Sequence, residues 1–186
     1  IEPIFRETLF NMISIMTGTG YFSGSFTAWG GFVLVAAFFV GVIGGCSGSS
    51  SGALTVFRVQ VAMAAVRAQL RQISMPHRVA PVRHAGKTVD AETLNGVMMF
   101  VTSYILLIGG VAVALTLTGI DFHTALFASW SSLGNIGYGI GPAIAETGTY
   151  IDFPSTAKWV MTLAMLLGRL SLIAVFMLFL PRFWMR

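Results

Sequence analysis

Long runs of apolar residues, separated by short polar segments, are the main feature of the chain. Residues 30–45 and 97–118 carry no charge, and the second run is long enough to cross a bilayer, which takes about 20 helical residues. A third apolar run, residues 157–180, contains one arginine well inside it, Arg169. These three runs predict long membrane helices.

Two shorter apolar segments, residues 2–16 and 121–132, come before two of the long runs. At 1.5 Å per residue the first segment is roughly 22 Å long, too short to cross about 30 Å of hydrocarbon. Pro3 suits the first turn of a helix, and Asp121 suits the N-cap of the second segment. We therefore predict two re-entrant pore helices, with an ordinary interfacial helix as the alternative for the first.

A turn that contains glycine follows each short helix, and the two turns align when the chain is shifted by 117 residues. Gly20 then falls on Gly137, and Tyr21 falls on Tyr138. Glycine permits φ values that point successive carbonyls to one side, where they can replace the hydration shell of a cation. The candidate cation-binding residues, through their backbone oxygens, are Met16, Thr17, Gly18, Thr19, Gly20, Leu133, Gly134, Asn135, Ile136 and Gly137. Two turns supply half of a fourfold ring, so we expect half of a pore, completed by dimerisation or by repeats that precede Ile1 in a longer protein.

Residues 44–52 consist of glycine, serine and one cysteine, a composition that costs a helix several kcal/mol of propensity. An amphipathic helical pattern resumes over residues 53–73. We predict one broken transmembrane helix, because unwound backbone at membrane depth must be buried in protein or line a water-filled cavity. The candidate gate residues in this segment are Gly45, Cys46, Ser47, Gly48, Ser49, Ser50, Ser51 and Gly52. A plain linker to a cytoplasmic helix is the alternative.

Arg169 lies near the middle of the last apolar run. It follows Lys158 by 11 residues and precedes Arg182 by 13, which places it roughly 16 to 20 Å along a helix from each of these charges. An arginine at the bilayer centre costs about 2.5 to 3.5 kcal/mol on insertion scales, so it should face the protein interior. We expect its partners to be carbonyl and hydroxyl oxygens of residues 45–52, with a purely structural role as the alternative.

Composition agrees with a membrane protein. Of the 186 residues, 55% are hydrophobic and 10% are charged, against about 25% charged residues in soluble domains. The mean hydropathy is +0.81. These values favour a chain in contact with membrane lipid and disfavour a soluble enzyme.

The distribution of charge predicts the orientation of the chain. Residues 44–96 contain six Lys or Arg residues against two acidic ones, and basic loops remain in the cytoplasm. Both glycine turns then lie outside the cell, and the C-terminus lies inside. Aromatic residues are not interleaved with the basic ones, so we expect no nucleic-acid partner.

Two other functions stay open at this point. Residues 48–52 match the G-x-S-x-G pattern of serine hydrolases, with Ser50 as the nucleophile, although that motif requires a strand before it and an Asp and a His after it. A membrane-embedded hydrolase is therefore one alternative, and a non-conducting structural subunit is another.

Four segments resemble the Trk/Ktr/HKT superfamily of K⁺ transporters, and more particularly its TrkH-type subunit. Residues 15–21 are similar to the filter of the family, residues 44–49 to its intramembrane gating loop, and residues 157–159 and 167–170 to its last helix. The resemblance covers essentially the whole chain, as the third and fourth of four helix–pore-loop–helix repeats without the first helix of the third.

The resemblance implies a division of the chain into three parts. Residues 1–73 would form the pore helix, filter and broken inner helix of the third repeat, residues 74–93 a cytoplasmic loop, and residues 94–186 the outer helix, pore helix, filter and inner helix of the fourth. The fold class is then an all-α membrane protein of repeated helix–pore-loop–helix units.

The resemblance also implies a function and partners. The two filter turns would hold K⁺ as the transported ion without a covalently bound cofactor, residues 45–52 would obstruct the pore, and Arg169 would steady that loop. A homodimer is implied, in the cytoplasmic (inner) membrane of the cell, with one pore in each subunit. A cytoplasmic ring of nucleotide-binding RCK-type (TrkA-like) subunits would dock near residues 58–87 and the C-terminus. We therefore predict a gated K⁺-conducting protein that could also pass Na⁺, and not an enzyme.

Overall fold

The computed structural model describes residues 2–23, 30–49, 51–75, 81–144 and 149–170. Within these ranges the fold consists of six α-helices, one two-stranded hairpin and two 3-10 turns. The elements are α1 (Glu2–Thr17), α2 (Gly31–Ile43), α3 (Val56–Ser74), β1 (Arg83–His84), β2 (Lys87–Thr88), α4 (Ala91–Thr116), α5 (Phe122–Leu133) and α6 (Ser155–Arg169), with the 3-10 turns Pro142–Ile144 and Tyr150–Asp152 before α6. The mainly helical fold predicted from the apolar pattern is confirmed.

The two short helices predicted from the sequence are α1 and α5. α1 carries Glu2 in its first turn, where the helix dipole stabilises a negative charge. Asp121 caps α5 as predicted, because its carboxylate accepts a hydrogen bond from the Thr124 backbone N–H at 2.9 Å. That these helices enter the membrane and return to the same side stays a prediction.

Among the helices of the described residues, α4 is long and apolar enough to cross a membrane. It has 26 residues and begins six residues before the uncharged run 97–118. The earlier start is explained by Asp90, whose carboxylate accepts a hydrogen bond from the Thr93 backbone N–H at 3.1 Å. This bond lowers the pKa of Asp90, since it favours the charged form.

α2 and α3 are separated by residues 44–55, of which 44–49 and 51–55 are described and are not helical. α2 has 13 residues and ends at Ile43, just before two consecutive glycines. The separation agrees with the helix break predicted from the glycine and serine content, while its position within a membrane stays a prediction. α6 ends at Arg169, and the rest of the predicted run 157–180 lies outside the described residues.

α5 lies at the centre of the fold, and nine of its 12 residues are buried. One side of α5 packs with α4 and α6 in a cluster that includes Tyr104, Leu115 and Leu133. The other side packs with α1 and α2 around the fully buried Trp130. α2 comes so close that a β-carbon on Gly41 would collide with the Trp130 ring. The C-terminal end of α5 is therefore held from both sides.

Residues 83–88 form a hairpin that the sequence pattern did not predict. Arg83 pairs with Thr88, and His84 pairs with Lys87. Ala85 and Gly86 between the strands have φ values of +49° and +80°, and two positive φ values suit a two-residue hairpin turn. Strands of two residues are too short to show an alternation of apolar and polar positions. The predicted loop, residues 74–93, therefore contains regular structure.

Candidate cation-binding turns and gating segment

The first turn (residues 16–20) begins as a regular helix C-cap. The Gly18 N–H donates to the Ile15 carbonyl oxygen at 3.3 Å, and the Thr19 N–H donates to the Ser14 carbonyl oxygen at 3.1 Å. These two bonds, with Gly18 at a φ of +71°, form a Schellman motif. The turn is therefore fixed by the end of α1, and Gly18 supplies the left-handed residue that the motif requires.

The second turn (residues 133–137) repeats this geometry at the end of α5. The Asn135 N–H donates to the Ser132 carbonyl oxygen at 3.1 Å, and the Ile136 N–H donates to the Ser131 carbonyl oxygen at 2.9 Å. Each donor and acceptor lies 117 residues after its counterpart in the first turn. Asn135 has a φ of +52°, and asparagine is the usual alternative to glycine at this position. The alignment made from the sequence therefore holds for the backbone hydrogen bonds.

The two turns lie side by side. A β-carbon on Gly18 would lie 3.6 Å from the Asn135 carbonyl oxygen, and a β-carbon on Gly20 would collide with the Ile136 carbonyl oxygen. Gly20 and Gly137 also have positive φ values, +76° and +88°. The absence of a side chain at Gly20 thus allows direct contact between the two backbones. The structure brings together the two sets of residues that were predicted to bind a cation.

The gating segment (residues 45–52) begins beside the first turn. A β-carbon on Gly45 would lie 3.7 Å from the Met16 carbonyl oxygen. Residues 46–49, which we call the tip, are exposed, and the Ser49 N–H donates to the Cys46 carbonyl oxygen at 3.0 Å. Ser50 lies outside the described residues.

The gating segment ends in contact with the second turn. The Gly52 N–H donates to the Gly134 carbonyl oxygen at 3.2 Å. Residues 51–56, which we call the limb, contain the last two residues of the gating segment. The Leu54 N–H donates to the Val42 carbonyl oxygen of α2, and the Val56 N–H donates to the carbonyl oxygen of Gly45 at the start of the gating segment, both at 3.1 Å. Backbone bonds to two elements therefore hold the limb.

The second turn also contacts α6. A β-carbon on Gly168 would collide with the Leu133 carbonyl oxygen. The Asn135 side-chain amide donates to the Met165 carbonyl oxygen at 3.0 Å, and a β-carbon on Gly52 would lie 3.0 Å from both this amide nitrogen and the Gly168 carbonyl oxygen. The second turn, the limb and α6 thus meet at one place.

Arg169 directly follows Gly168 at the end of α6. Gly168, the residue before Arg169, therefore lies close to Gly52 of the limb. This is expected if Arg169 lies near the gating segment. Its side chain is exposed. The predicted contact between the guanidinium and residues 45–52 stays a prediction.

A set of polar contacts at residues that directly follow the two turns was not predicted from the sequence. Asn11 of α1 is fully buried. Its amide group donates to the Ser23 carbonyl oxygen at 2.8 Å and its side-chain oxygen accepts from the Ser23 N–H at 3.0 Å. The Tyr138 hydroxyl also contacts Asn11. A polar residue in the otherwise apolar stretch 9–13 was the signal that could have drawn attention to this site.

The chemistry available at the turns is that of neutral oxygen atoms. Among the described residues, no group of three or more His, Cys, Asp or Glu side chains could hold a metal ion. Backbone carbonyls, with the hydroxyls of Ser14 and Thr19 in contact at 3.0 Å, suit a monovalent cation that must be released quickly.

The segment that matches G-x-S-x-G follows a helix, α2, and the strands in the described residues lie after it, at residues 83–84 and 87–88. The strand-to-helix turn that positions a nucleophilic serine is therefore not found in the described part of this segment.

Comparisons with known proteins agree with the geometry. The sequence model of the TrkH family, described as cation transport proteins, matches residues 4–185. The Trk system potassium uptake protein TrkI of Halomonas elongata is 38% identical over 178 residues, which are 96% of this chain and 36% of that protein. TrkH of Escherichia coli is 29% identical over 179 residues, again 96% of this chain and 36% of the relative.

A solved structure shares the fold. The crystal structure of the potassium transporter TrkH from Vibrio parahaemolyticus superimposes with a TM-score of 0.88 at 30% identity, over 97% of this chain and 38% of that one. The chain thus spans little more than a third of the length of the relatives it matches. Because the family model matches nearly all of its residues, the chain belongs to the TrkH family of cation transport proteins.

Proposed function

We propose that the protein of which this chain is part takes up K⁺ through a filter to which the first and second turns contribute backbone oxygens. The observation that carries the proposal is the direct contact between two turns with the same cap geometry, at Gly20 and Ile136. Relatives named potassium uptake proteins support K⁺ as the ion. Conduction then requires dehydration at the filter and no covalent chemistry.

The helix ends favour a cation at this place. α1 and α5 both end at the turns, and the C-terminus of a helix carries about half a negative charge. The last turns of these two helices, both within the described residues, contain no basic residue that would neutralise this charge. The field of both helices therefore acts on an ion between the turns. K⁺ is the preferred ion in this proposal, and Na⁺ could also pass.

The gating segment would act as the gate. The limb is held to the second turn and to α2, whereas the tip is exposed and has fewer backbone bonds in the described residues. Opening would therefore move the tip of the segment while the limb stays in place. Arg169 would stabilise the closed position through oxygens of residues 45–52.

The partners follow from the family and the charge pattern. We propose a homodimer in the cytoplasmic membrane, with the glycine turns outside and the basic loop and C-terminus inside. A TrkA-like, nucleotide-binding RCK-type ring would dock on the cytoplasmic side near residues 58–87. α3 and β1 expose Arg67, Arg71 and Arg83 there, which supports an electrostatic contribution to docking. Arg58 is half-buried and lies over the Phe100 ring.

Ion flux tests the function. We expect Rb⁺ uptake into liposomes that contain the full-length protein, and we expect it to survive Ser50→Ala. Ester hydrolysis that is lost in Ser50→Ala, without ion flux, would favour the hydrolase, and the absence of both flux and hydrolysis would favour a structural subunit.

The gate has a separate test. Arg169→Ala should raise basal flux, while Lys158→Ala at the other end of α6 should leave it unchanged, since the Lys158 ammonium bonds to the Ile151 carbonyl at 2.7 Å, away from the gating segment. Equal flux in the wild type and Arg169→Ala would remove Arg169 from the gate.

A further inference from the structure

Asn11 of α1 is hydrogen-bonded to the segment that follows the first turn. Its amide donates to the carbonyl oxygens of Glu7 at 3.0 Å and Ser23 at 2.8 Å, and its side-chain oxygen accepts from the Ser23 N–H at 3.0 Å. The side chain is fully buried. The outer end of the first turn is therefore held by bonds to one asparagine in the middle of α1.

Tyr138 extends this contact to the second turn. Its hydroxyl donates to the Asn11 side-chain oxygen at 2.9 Å and to the Tyr21 carbonyl oxygen at 2.9 Å, so one proton is shared between two acceptors. Tyr138 is 3% exposed, and its ring lies 6.0 Å from that of Phe22. Tyr138, which directly follows the second turn, is thus bonded to α1 and to the residue that follows the first turn.

Tyr150 supports Tyr138 from the other side. The Tyr150 hydroxyl donates to the Tyr138 carbonyl oxygen. Burial raises the pKa of Tyr150 to about 12, so its hydroxyl keeps its proton and stays a donor at physiological pH. The backbone and the side chain of Tyr138 are therefore both fixed.

These contacts connect the two turns. Bonds from Tyr138 join residues of one repeat to residues of the other, at the level where Gly20 and Ile136 touch. A ring of carbonyls of fixed radius suits the larger K⁺, whereas a ring that is free to contract can also fit Na⁺, if selectivity depends on the size of the site. The rigidity of the hydrogen bonds between the two turns would then affect the selectivity for K⁺ over Na⁺.

We propose that Asn11 and Tyr138 are positioning residues that maintain the preference for K⁺ over Na⁺ by holding the two turns at a fixed separation. This inference rests on the proposed function of the turns. Neither side chain would contact the ion. Each would act by fixing the backbone that follows the first turn, Asn11 at Ser23 and Tyr138 at Tyr21.

The test compares two tyrosines that are equivalent in the repeat. Tyr138→Phe removes one hydroxyl from a 3% exposed residue, and Tyr21→Phe removes one from a 75% exposed residue. In liposomes with the full-length protein, we expect Tyr138→Phe to lower the ratio of K⁺ to Na⁺ uptake by about threefold or more, while Tyr21→Phe leaves it unchanged. Asn11→Ala should lower the ratio as well, and the double variant should lower it by less than the two single effects combined, since the two residues share one bond while Tyr138 also bonds to the Tyr21 carbonyl.

The outcomes separate the inference from the proposed function. Wild-type protein without cation flux would contradict the function itself. Selective wild-type flux with the same ratio in Tyr138→Phe would overturn the inference, and so would a fall in flux or thermal stability that leaves the ratio unchanged. If Tyr138→Phe fails to fold, Tyr150→Phe tests the same connection through the Tyr138 carbonyl, with a smaller fall in the ratio expected and an unchanged ratio contradicting it.

Discussion

The two glycine turns have the same backbone hydrogen bonds but different surroundings. Each ends its helix with a Schellman motif, and each donor and acceptor of the second motif lies 117 residues after its counterpart in the first. The second turn contacts α6 and accepts a hydrogen bond from the limb, and Tyr138, which follows this turn, is 3% exposed. The first turn lies beside the start of the gating segment, and Tyr21, which follows this turn, is 75% exposed. Local sequence determines the cap, while the contacts of each turn depend on which elements surround it.

The largest effect is expected at the contact between α6 and the second turn. A β-carbon on Gly168 would collide with the Leu133 carbonyl, a backbone atom that cannot rotate away. Gly168→Ala should therefore destabilise the protein by about 1 to 3 kcal/mol or more, as measured by thermal unfolding in detergent. Gly109→Ala in α4 is the matched control, since nothing lies within 4 Å of a β-carbon there. Equal melting temperatures for the two variants would show that α6 does not pack on this turn.

The next largest effect is expected at Gly20, and it distinguishes the first turn from the second. Gly20→Ala would place a β-carbon against the Ile136 carbonyl oxygen, whereas Gly137→Ala would meet nothing within 4 Å. Both alanines would be strained by positive φ values. We expect Gly20→Ala to lower the K⁺ over Na⁺ permeability ratio by about tenfold, equivalent to about 1.4 kcal/mol, and Gly137→Ala to lower it less. A larger loss in Gly137→Ala would contradict the contact at Gly20.

A smaller effect is expected at Asn135. Asn135→Gly keeps the left-handed backbone and loses the bond to the Met165 carbonyl, which should cost about 1 kcal/mol. Asn135→Ala loses the bond and also strains the backbone, at a further cost of about 1 kcal/mol. Denaturation of the two variants checks the order. Equal stabilities would mean that the positive φ value is not required.

The smallest change concerns the gating segment between the turns. Cys46 in the tip is exposed, whereas the limb is bonded to the second turn. A thiol reagent should label the wild type at Cys46 about three times faster than it labels the double variant Cys46→Ser, Ser51→Cys at position 51, because local opening controls access to the limb. Labelling at equal rates would show that tip and limb move together.

The sequence predicted the helices well because their signals are local. Apolar runs located α1, α4 and α5, and Asp121 was identified as a cap from its position alone, as the bond to Thr124 confirms. The alignment of Gly20 with Gly137 placed the two turns in register, and their backbone bonds agree.

Contacts between distant segments were harder to predict. The bond from Gly52 to Gly134 and the bond from Tyr138 to Asn11 join residues 82 and 127 positions apart, and no local pattern marks such pairs. The hairpin at residues 83–88 was missed because its strands are too short to show periodicity. Arg169 and the gate residues were assigned by depth and by resemblance, and these assignments stay predictions.

A density map of the full-length protein with Rb⁺ or Ba²⁺ in place of K⁺ tests the central claim most directly. We predict ion density between the two turns, within coordinating distance of backbone oxygens near Gly20 and Gly137. Density elsewhere, with these turns closed against each other or against lipid and no continuous passage beside them, would contradict it.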